Sequence, residues 1–103
     1  MSTPLRHKPN AATAAVITIA AVAGVAHEIE SIHASYSATP TGGNLKVESP
    51  LGTTIWEVDL PAAGAFQFDW GSCLQGAADQ AMIITLASGA GSVQGIVNAN
   101  KRG

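Results

Sequence analysis

The sequence predicts an all-β fold: a single antiparallel β-sandwich or jelly-roll-like domain of seven to eight strands with an extended N-terminal arm. Apolar and polar residues alternate over short runs, most clearly in the segment 66–70, FQFDW. Turns rich in glycine and proline separate these runs at a spacing of about 8–12 residues, which is typical of sandwiches and barrels. A chain of 103 residues is long enough for one such domain and too short for two.

Seven strands are predicted from this alternation. The first centres on Val16–Ile19, whose β-branched side chains fit a pleated surface, although the alanines of 13–25 leave a helix as the alternative. The second, 25–38, changes the face of its apolar residues midway, which predicts a bulge near Glu30–Ser31. Gly95 predicts a bulge or a close backbone approach in the seventh strand. The other strands are placed at 45–48, 53–60, 66–70, 81–87 and 92–99, with 71–79 as the longest connection.

The charged residues are few and unevenly distributed. They make up 12% of the chain, about half of the usual share of roughly 25%. Between residues 9 and 100 there are seven acidic residues and one basic residue, Lys46, which is a net charge of −6. Such a body repels phosphate, so no nucleic-acid partner is predicted. The other four basic residues lie near the ends, as solvated termini or as arms that dock on an acidic neighbour: Arg6, Lys8, Lys101 and Arg102.

The chain divides into an extended arm at 1–12, a sandwich domain at 13–100 and a basic tail at 101–103. The alternative at the amino end is a secretory signal peptide over residues 1–26, with basic residues, an apolar run and a small-residue cleavage site in the usual order. The apolar run is shorter than the roughly 20 residues that span a membrane. No membrane partner is therefore predicted.

Groups suited to catalysis or metal binding are sparse. His27 and His33 are about 20 Å apart along an extended strand, whereas zinc ligands converge within roughly 2 Å of one ion. Glu28 and Glu30 share a face, but charge clusters of this kind are usually solvated. Cys73 is predicted to be a small buried or half-buried side chain. No catalytic, cofactor-binding or metal-ligating residue is predicted, and the chain is not expected to be an enzyme.

The two tryptophans, Trp56 and Trp70, alternate in register with apolar neighbours on their strands. This pattern favours packing against the core. The alternative is an aromatic platform that binds sugar rings.

Five segments of the sandwich region carry a family resemblance: Ile29–Ser37, Pro40–Val47, Gly52–Leu60, Ile84–Gly89 and Val93–Asn98. Together, over about residues 25–98, they resemble small β-sandwich head decoration (cement) or accessory virion proteins of tailed bacteriophages. The resemblance implies a domain that sits on the capsid shell and brings no catalytic residues with it.

The sequence therefore predicts a structural virion protein, made in the host cytoplasm, that binds the outer surface of a bacteriophage capsid and decorates or cements it. The expected partners are the major capsid protein and further copies of the chain, as a dimer or trimer, without a cofactor. The arm would cross to a neighbouring subunit and the tail would meet acidic capsid protein. The contact residues would be Arg6, His7, Lys8, Lys101 and Arg102. The alternative is an exported binding module for a glycan or cell-surface ligand, with 1–26 as its signal peptide.

Overall fold

The computed structural model describes residues 2–102, which form two four-stranded antiparallel sheets packed face to face and no helix. The strands are β1 (Ser2–His7), β2 (Ala15–Ile19), β3 (Glu28–Tyr36), β4 (Asn44–Glu48), β5 (Thr54–Asp59), β6 (Gly64–Gln75), β7 (Met82–Leu86) and β8 (Gly95–Arg102). Sheet A has the order β1-β8-β3-β6, and sheet B has the order β2-β7-β4-β5. This is the strand order of a jelly roll, so the predicted fold class is confirmed.

Both sheets contribute to one core between them. The buried residues of β3 and β8 in sheet A belong to the same hydrophobic cluster as those of β4 and β7 in sheet B. Removing each large aliphatic side chain from water stabilises the fold by about 1.5–3 kcal/mol. The largest fully buried side chains are Ile29, Ile32, Leu45, Val47, Leu60, Met82, Ile84, Leu86 and Val97. None of the described residues forms a helix long and apolar enough to cross a membrane.

The bulge predicted near Glu30–Ser31 is present. The register of β3 shifts between Ile29 and Ser31 against both of its neighbours, β6 and β8. Because the bulge inserts one residue, Ile29 and Ile32 both point into the core, and each is 0% exposed. The bulge therefore lets the apolar residues before and after it face the core, although their alternation in the sequence changes phase.

Strand β6 is longer than predicted. Asp69 pairs with Ser31 and Leu74 pairs with Ile29, so residues 70–73 lie in an excursion of β6 opposite the bulge. Cys73 ends this excursion in the left-handed region, at a φ of 60°. The segment 71–79 is therefore a strand as far as Gln75, and the true connection to β7 is shorter.

The structure corrects the extended arm and the free basic tail. Residues Ser2–His7 form β1, which pairs along its whole length with β8, and Leu5 packs against the core. Lys101 and Arg102 are the last two residues of β8. The two ends of the chain lie side by side because antiparallel pairing satisfies the backbone groups of both. Met1 and Gly103, the outer ends of the predicted arm and tail, lie outside the described residues.

Gly95 marks a close approach. It pairs in register with Tyr36, so there is no bulge at this point in the ladder between β3 and β8. A Cβ on Gly95 would lie 3.1 Å from Cδ2 of Leu86 and 3.4 Å from Cε1 of Tyr36. The glycine therefore makes room for the tyrosine ring, whose hydroxyl donates a hydrogen bond of 2.6 Å to the carbonyl of Ala87.

Candidate interaction surfaces

One lateral side of the sandwich carries a cluster of three aromatic rings, here called the aromatic seam: Trp56, Phe68 and Trp70. Trp56 lies on β5, the last strand of sheet B, and the other two lie on β6, the last strand of sheet A. The ring centroid of Trp56 is 5.0 Å from that of Phe68 and 5.1 Å from that of Trp70, both in edge-to-face geometry. Such pairs contribute about 0.5–1.5 kcal/mol beyond their buried area. All three rings are half-buried, so the seam joins the two sheets and keeps part of its surface in water.

Acidic side chains flank the aromatic seam. On β5, Oε1 of Glu57 and Oδ1 of Asp59 accept hydrogen bonds from the Asn44 amide, at 3.2 and 3.0 Å. On β6, Asp69 accepts from the Gln67 amide at 3.1 and 3.2 Å. Since an amide donor carries no net charge, these bonds hold the carboxylates in place and leave their negative charge uncompensated. We call this side, formed by β5 and β6, the acidic side.

The opposite lateral side is formed by β1 and β2 and is basic. Nδ1 of His7 accepts the backbone N–H of Val16 at 2.8 Å, which links the edges of the two sheets. Arg6 and Lys8 are exposed next to this link, and within residues 2–102 neither forms an ion pair. We call this side, formed by β1 and β2, the basic side.

The C-terminal basic residues are engaged within the chain. Nη1 of Arg102 is 3.4 Å from Oε2 of Glu28, and its Nε is 4.0 Å from Oε2 of Glu30. The arginine side chain is 53% exposed, so these ion pairs add little to stability. They do occupy the predicted acidic face, which therefore has a partner in its own chain. Lys101 lies in the ladder opposite Thr3 and Ile29, half-buried.

The outward surface of sheet A, here called outer face A, is polar at its centre and carries the ion pair of Arg102 with Glu28 at one end. Two cross-strand rows define it: Arg6, Asn98, His33 and Gln67, and then Pro4, Asn100, Ser31 and Asp69. The centre of each row is uncharged and polar, with a hydrogen bond of 3.0 Å from Asn100 to Ser31. The charged residues of these rows lie at their two ends: Arg6 on β1 and Asp69 on β6.

The two histidines considered as metal ligands are not brought together. His27 is 3% exposed and its Nε2 lies 2.8 Å from the carbonyl oxygen of Ala20, whereas His33 is exposed on outer face A. Nδ1 of His27 has no hydrogen-bond partner among the described residues.

Residues 2–102 contain no group of three or more His, Cys, Asp or Glu side chains placed to hold a metal, and no cavity. Cys73 is half-buried and unpaired, as predicted for a small packed side chain.

Sequence reasoning missed two features of these surfaces. The alternation over 66–70 places Phe68 beside Trp70, but nothing in the sequence indicates that Trp56 packs against them, since β5 and β6 belong to different sheets. His7, for which a partner contact is predicted, accepts a hydrogen bond from Val16 of its own chain, and that bond was not foreseen. Its position two residues before Pro9 gives no signal of that contact. Both features depend on how the sheets stack.

Comparison with known proteins identifies the fold. No protein-family model and no curated protein matches the sequence. Among solved structures, the CBM36-1 domain of a multidomain xylanase from the hindgut metagenome of Trinervitermes trinervoides is similar, with a TM-score of 0.60 and 8% identity over 100% of this chain and 98% of that one. PirA is similar with a TM-score of 0.51 and 9% identity, over 96% and 92% of the two chains. At such identities the likeness is one of fold, and the chain is a β-sandwich domain of jelly-roll type.

Proposed function

We propose that this chain is a non-catalytic structural protein of a virion that binds the outer surface of a bacteriophage capsid. The observation that carries the proposal is outer face A, whose central positions hold polar side chains on the two inner strands of a four-stranded sheet. A surface of this kind can lie against a shell of folded protein over a large area without desolvating unpaired charges. The resemblance of five strand-and-turn segments to phage head decoration proteins supports the same role.

The two charged sides are placed suitably for a capsid contact through outer face A. The ends of the outer-face rows, Arg6 and Asp69, would lie at the rim of the contact, where charge affects association rate and register more than affinity. Lys101 and Arg102 lie in β8 at one end of the sheet, and Arg102 pairs with Glu28 of its own chain. The proposed contact therefore moves from the chain ends to the centre of a sheet.

The test is co-sedimentation of the purified domain with DNA-free shells of the phage that encodes it. His33→Glu places a charge at the centre of outer face A, and Thr85→Glu places the same charge on a central strand of sheet B. We expect the wild type and Thr85→Glu to sediment with shells and His33→Glu to bind at least about tenfold more weakly, since an unpaired charge at a buried contact costs more than 1.4 kcal/mol. Absence of wild-type binding, or equal binding by the two variants, contradicts the proposal.

The aromatic seam favours a second candidate, an exported module that binds glycans. Exposed parts of tryptophan rings are suited to contact sugar rings, and the similar CBM36-1 domain belongs to a xylanase. The chain has two tryptophans, and both lie in the seam, so intrinsic fluorescence reports on this surface alone. Titration with soluble xylan and other polysaccharides would give a saturable spectral shift, lost in Trp70→Ala, if this second function is correct. An unchanged spectrum at saturating polysaccharide excludes it for the sugars used.

A further inference from the structure

The two lateral sides of the sandwich are formed by strand edges, and on the basic side the outward N–H of Val16 is already bonded to His7. β1 and β6 are the outermost strands of sheet A, and β2 and β5 are those of sheet B. An outermost strand has one neighbour, so half of its backbone N–H and C=O groups face outward and can pair with another chain. β5 and β6 contain no lysine and no proline, the residues that commonly block such pairing.

Strand direction makes these edges mutually compatible. Every neighbouring pair of strands in both sheets is antiparallel. With four strands to a sheet, β1 therefore runs opposite to β6, and β2 runs opposite to β5. A second copy displaced sideways in the same orientation would present β1 to β6 and β2 to β5 as antiparallel pairs, in both sheets at once.

Strand direction alone also permits a two-fold arrangement in which like sides meet. Charge distinguishes the two arrangements. Two acidic sides would bring Asp59 and Asp69 of both copies together, and two basic sides would oppose Arg6 and Lys8. The acidic side against the basic side pairs opposite charges, and Arg6 and Asp69 stand on the same outer face, at opposite ends of adjacent rows.

The contact would also cover apolar surface. The acidic side presents the half-buried rings of the aromatic seam between its carboxylates. On the basic side, Val16 is 38% exposed and lies on the outward surface of sheet B, so it does not face the rings. An interface with aromatic residues at its centre and opposite charges at its rim has the usual composition of a specific protein contact.

We propose that the chain self-associates head to tail, with the acidic side of one copy against the basic side of the next, so that both sheets continue across the contact. An interface of this type joins two different surfaces, so repetition closes into a ring or extends as a row. In either form outer face A stays on one surface of the assembly, free to contact a shell.

The test uses two charge-reversal variants of the full chain. Asp59→Lys with Asp69→Lys reverses the acidic side, and Arg6→Glu with Lys8→Glu reverses the basic side. Glu57 is left unchanged because its register position is opposite Lys46, whose ion pair with Glu48 should not be disturbed. The control variant, Leu51→Lys with Gln80→Lys, adds positive charge at two exposed loop positions outside the strands of both sides.

Sedimentation velocity at increasing protein concentration measures the association, with far-UV circular dichroism to show that each variant is folded. We expect the wild type and the control to associate, each reversal variant alone to associate at least about tenfold more weakly, and an equimolar mixture of the two to recover wild-type association. Salt at about 1 M should weaken the wild-type contact, because it reduces the Debye length to about 3 Å.

Three results would overturn the proposal. One is a wild type that stays monomeric at the highest soluble concentration in low salt. Another is a basic-side reversal that associates as well as the wild type, which indicates a two-fold contact between acidic sides. The third is a mixture of the two reversal variants that shows no recovery while both are folded.

Discussion

The Nδ1 atom of His7 accepts the backbone N–H of Val16 at 2.8 Å, and this single bond joins the edge of sheet A to the edge of sheet B. His7→Ala removes the acceptor and returns the Val16 amide to solvent. We expect the free energy of unfolding to fall by about 1 kcal/mol and hydrogen exchange at the Val16 amide to accelerate. The matched control, His33→Ala on the exposed outer face, should change neither. Unaltered exchange at Val16 in His7→Ala would show that the bond does not protect this edge.

Tyr36 predicts the response of the fold to alkaline pH. Burial raises the pKa of its phenol above the ordinary value of 10.0. The unfolded chain therefore ionises at a lower pH than the folded one. The stability linked to this group is complete below pH 10.0 and is lost as pH rises from there through the folded pKa.

Because the chain contains one tyrosine, ultraviolet titration at the phenolate absorption band reads Tyr36 directly. We expect its folded midpoint to lie above that of the urea-unfolded chain, with the free energy of unfolding decreasing over the same interval. Coincident midpoints would contradict the burial of the phenol.

Gly43 is the glycine whose replacement should be most damaging. A Cβ there would lie 2.7 Å from the carbonyl oxygen of Leu60 and 3.0 Å from Cε2 of Tyr36. The first neighbour is backbone and cannot swing away, so Gly43→Ala should destabilise by about 1–3 kcal/mol. Gly71→Ala is the control, since a Cβ at Gly71 has no neighbour within 4 Å. Urea unfolding compares the two, and equal midpoints would refute the close approach.

Removing residues 1–7 tests whether the amino end is a strand or an arm. The truncation deletes β1, uncovers the edge of β8 and takes the partly buried Leu5 out of the core. We expect the free energy of unfolding to drop by about 2 kcal/mol or more. Replacing Arg6 and Lys8 by glutamine keeps the strand and should leave stability within about 0.5 kcal/mol of the wild type. A truncated domain as stable as the full chain would show that residues 1–7 are an arm that does not contribute to the fold.

The strands that follow from local pattern were predicted correctly from the sequence. The β-branched run at Val16–Ile19 forms β2, and the alternation over 66–70 lies in β6, where residues 66–69 pair with β3. The bulge at Glu30 was also predicted, because a change of face within one apolar run has few other structural solutions. These features depend on neighbouring residues and are therefore visible in the sequence.

The features that were missed depend on distant partners. β1 lacks a clear alternation and contains Pro4, so its strand character comes from pairing with β8 at the other end of the chain. The same pairing places Arg102 beside Glu28 and Glu30, and its contact with another protein stays a prediction. The acidic and basic sides likewise arise from the order of strands in two sheets, which no local pattern specifies.

The most direct test of the capsid role is a cryo-electron microscopy reconstruction of the virion of the phage that encodes the chain. The account predicts density for a two-sheet domain on the outer surface of the shell, with outer face A toward the major capsid protein. A well-resolved shell whose outer surface carries no such domain, or a domain that touches the shell only through its loops, would contradict it.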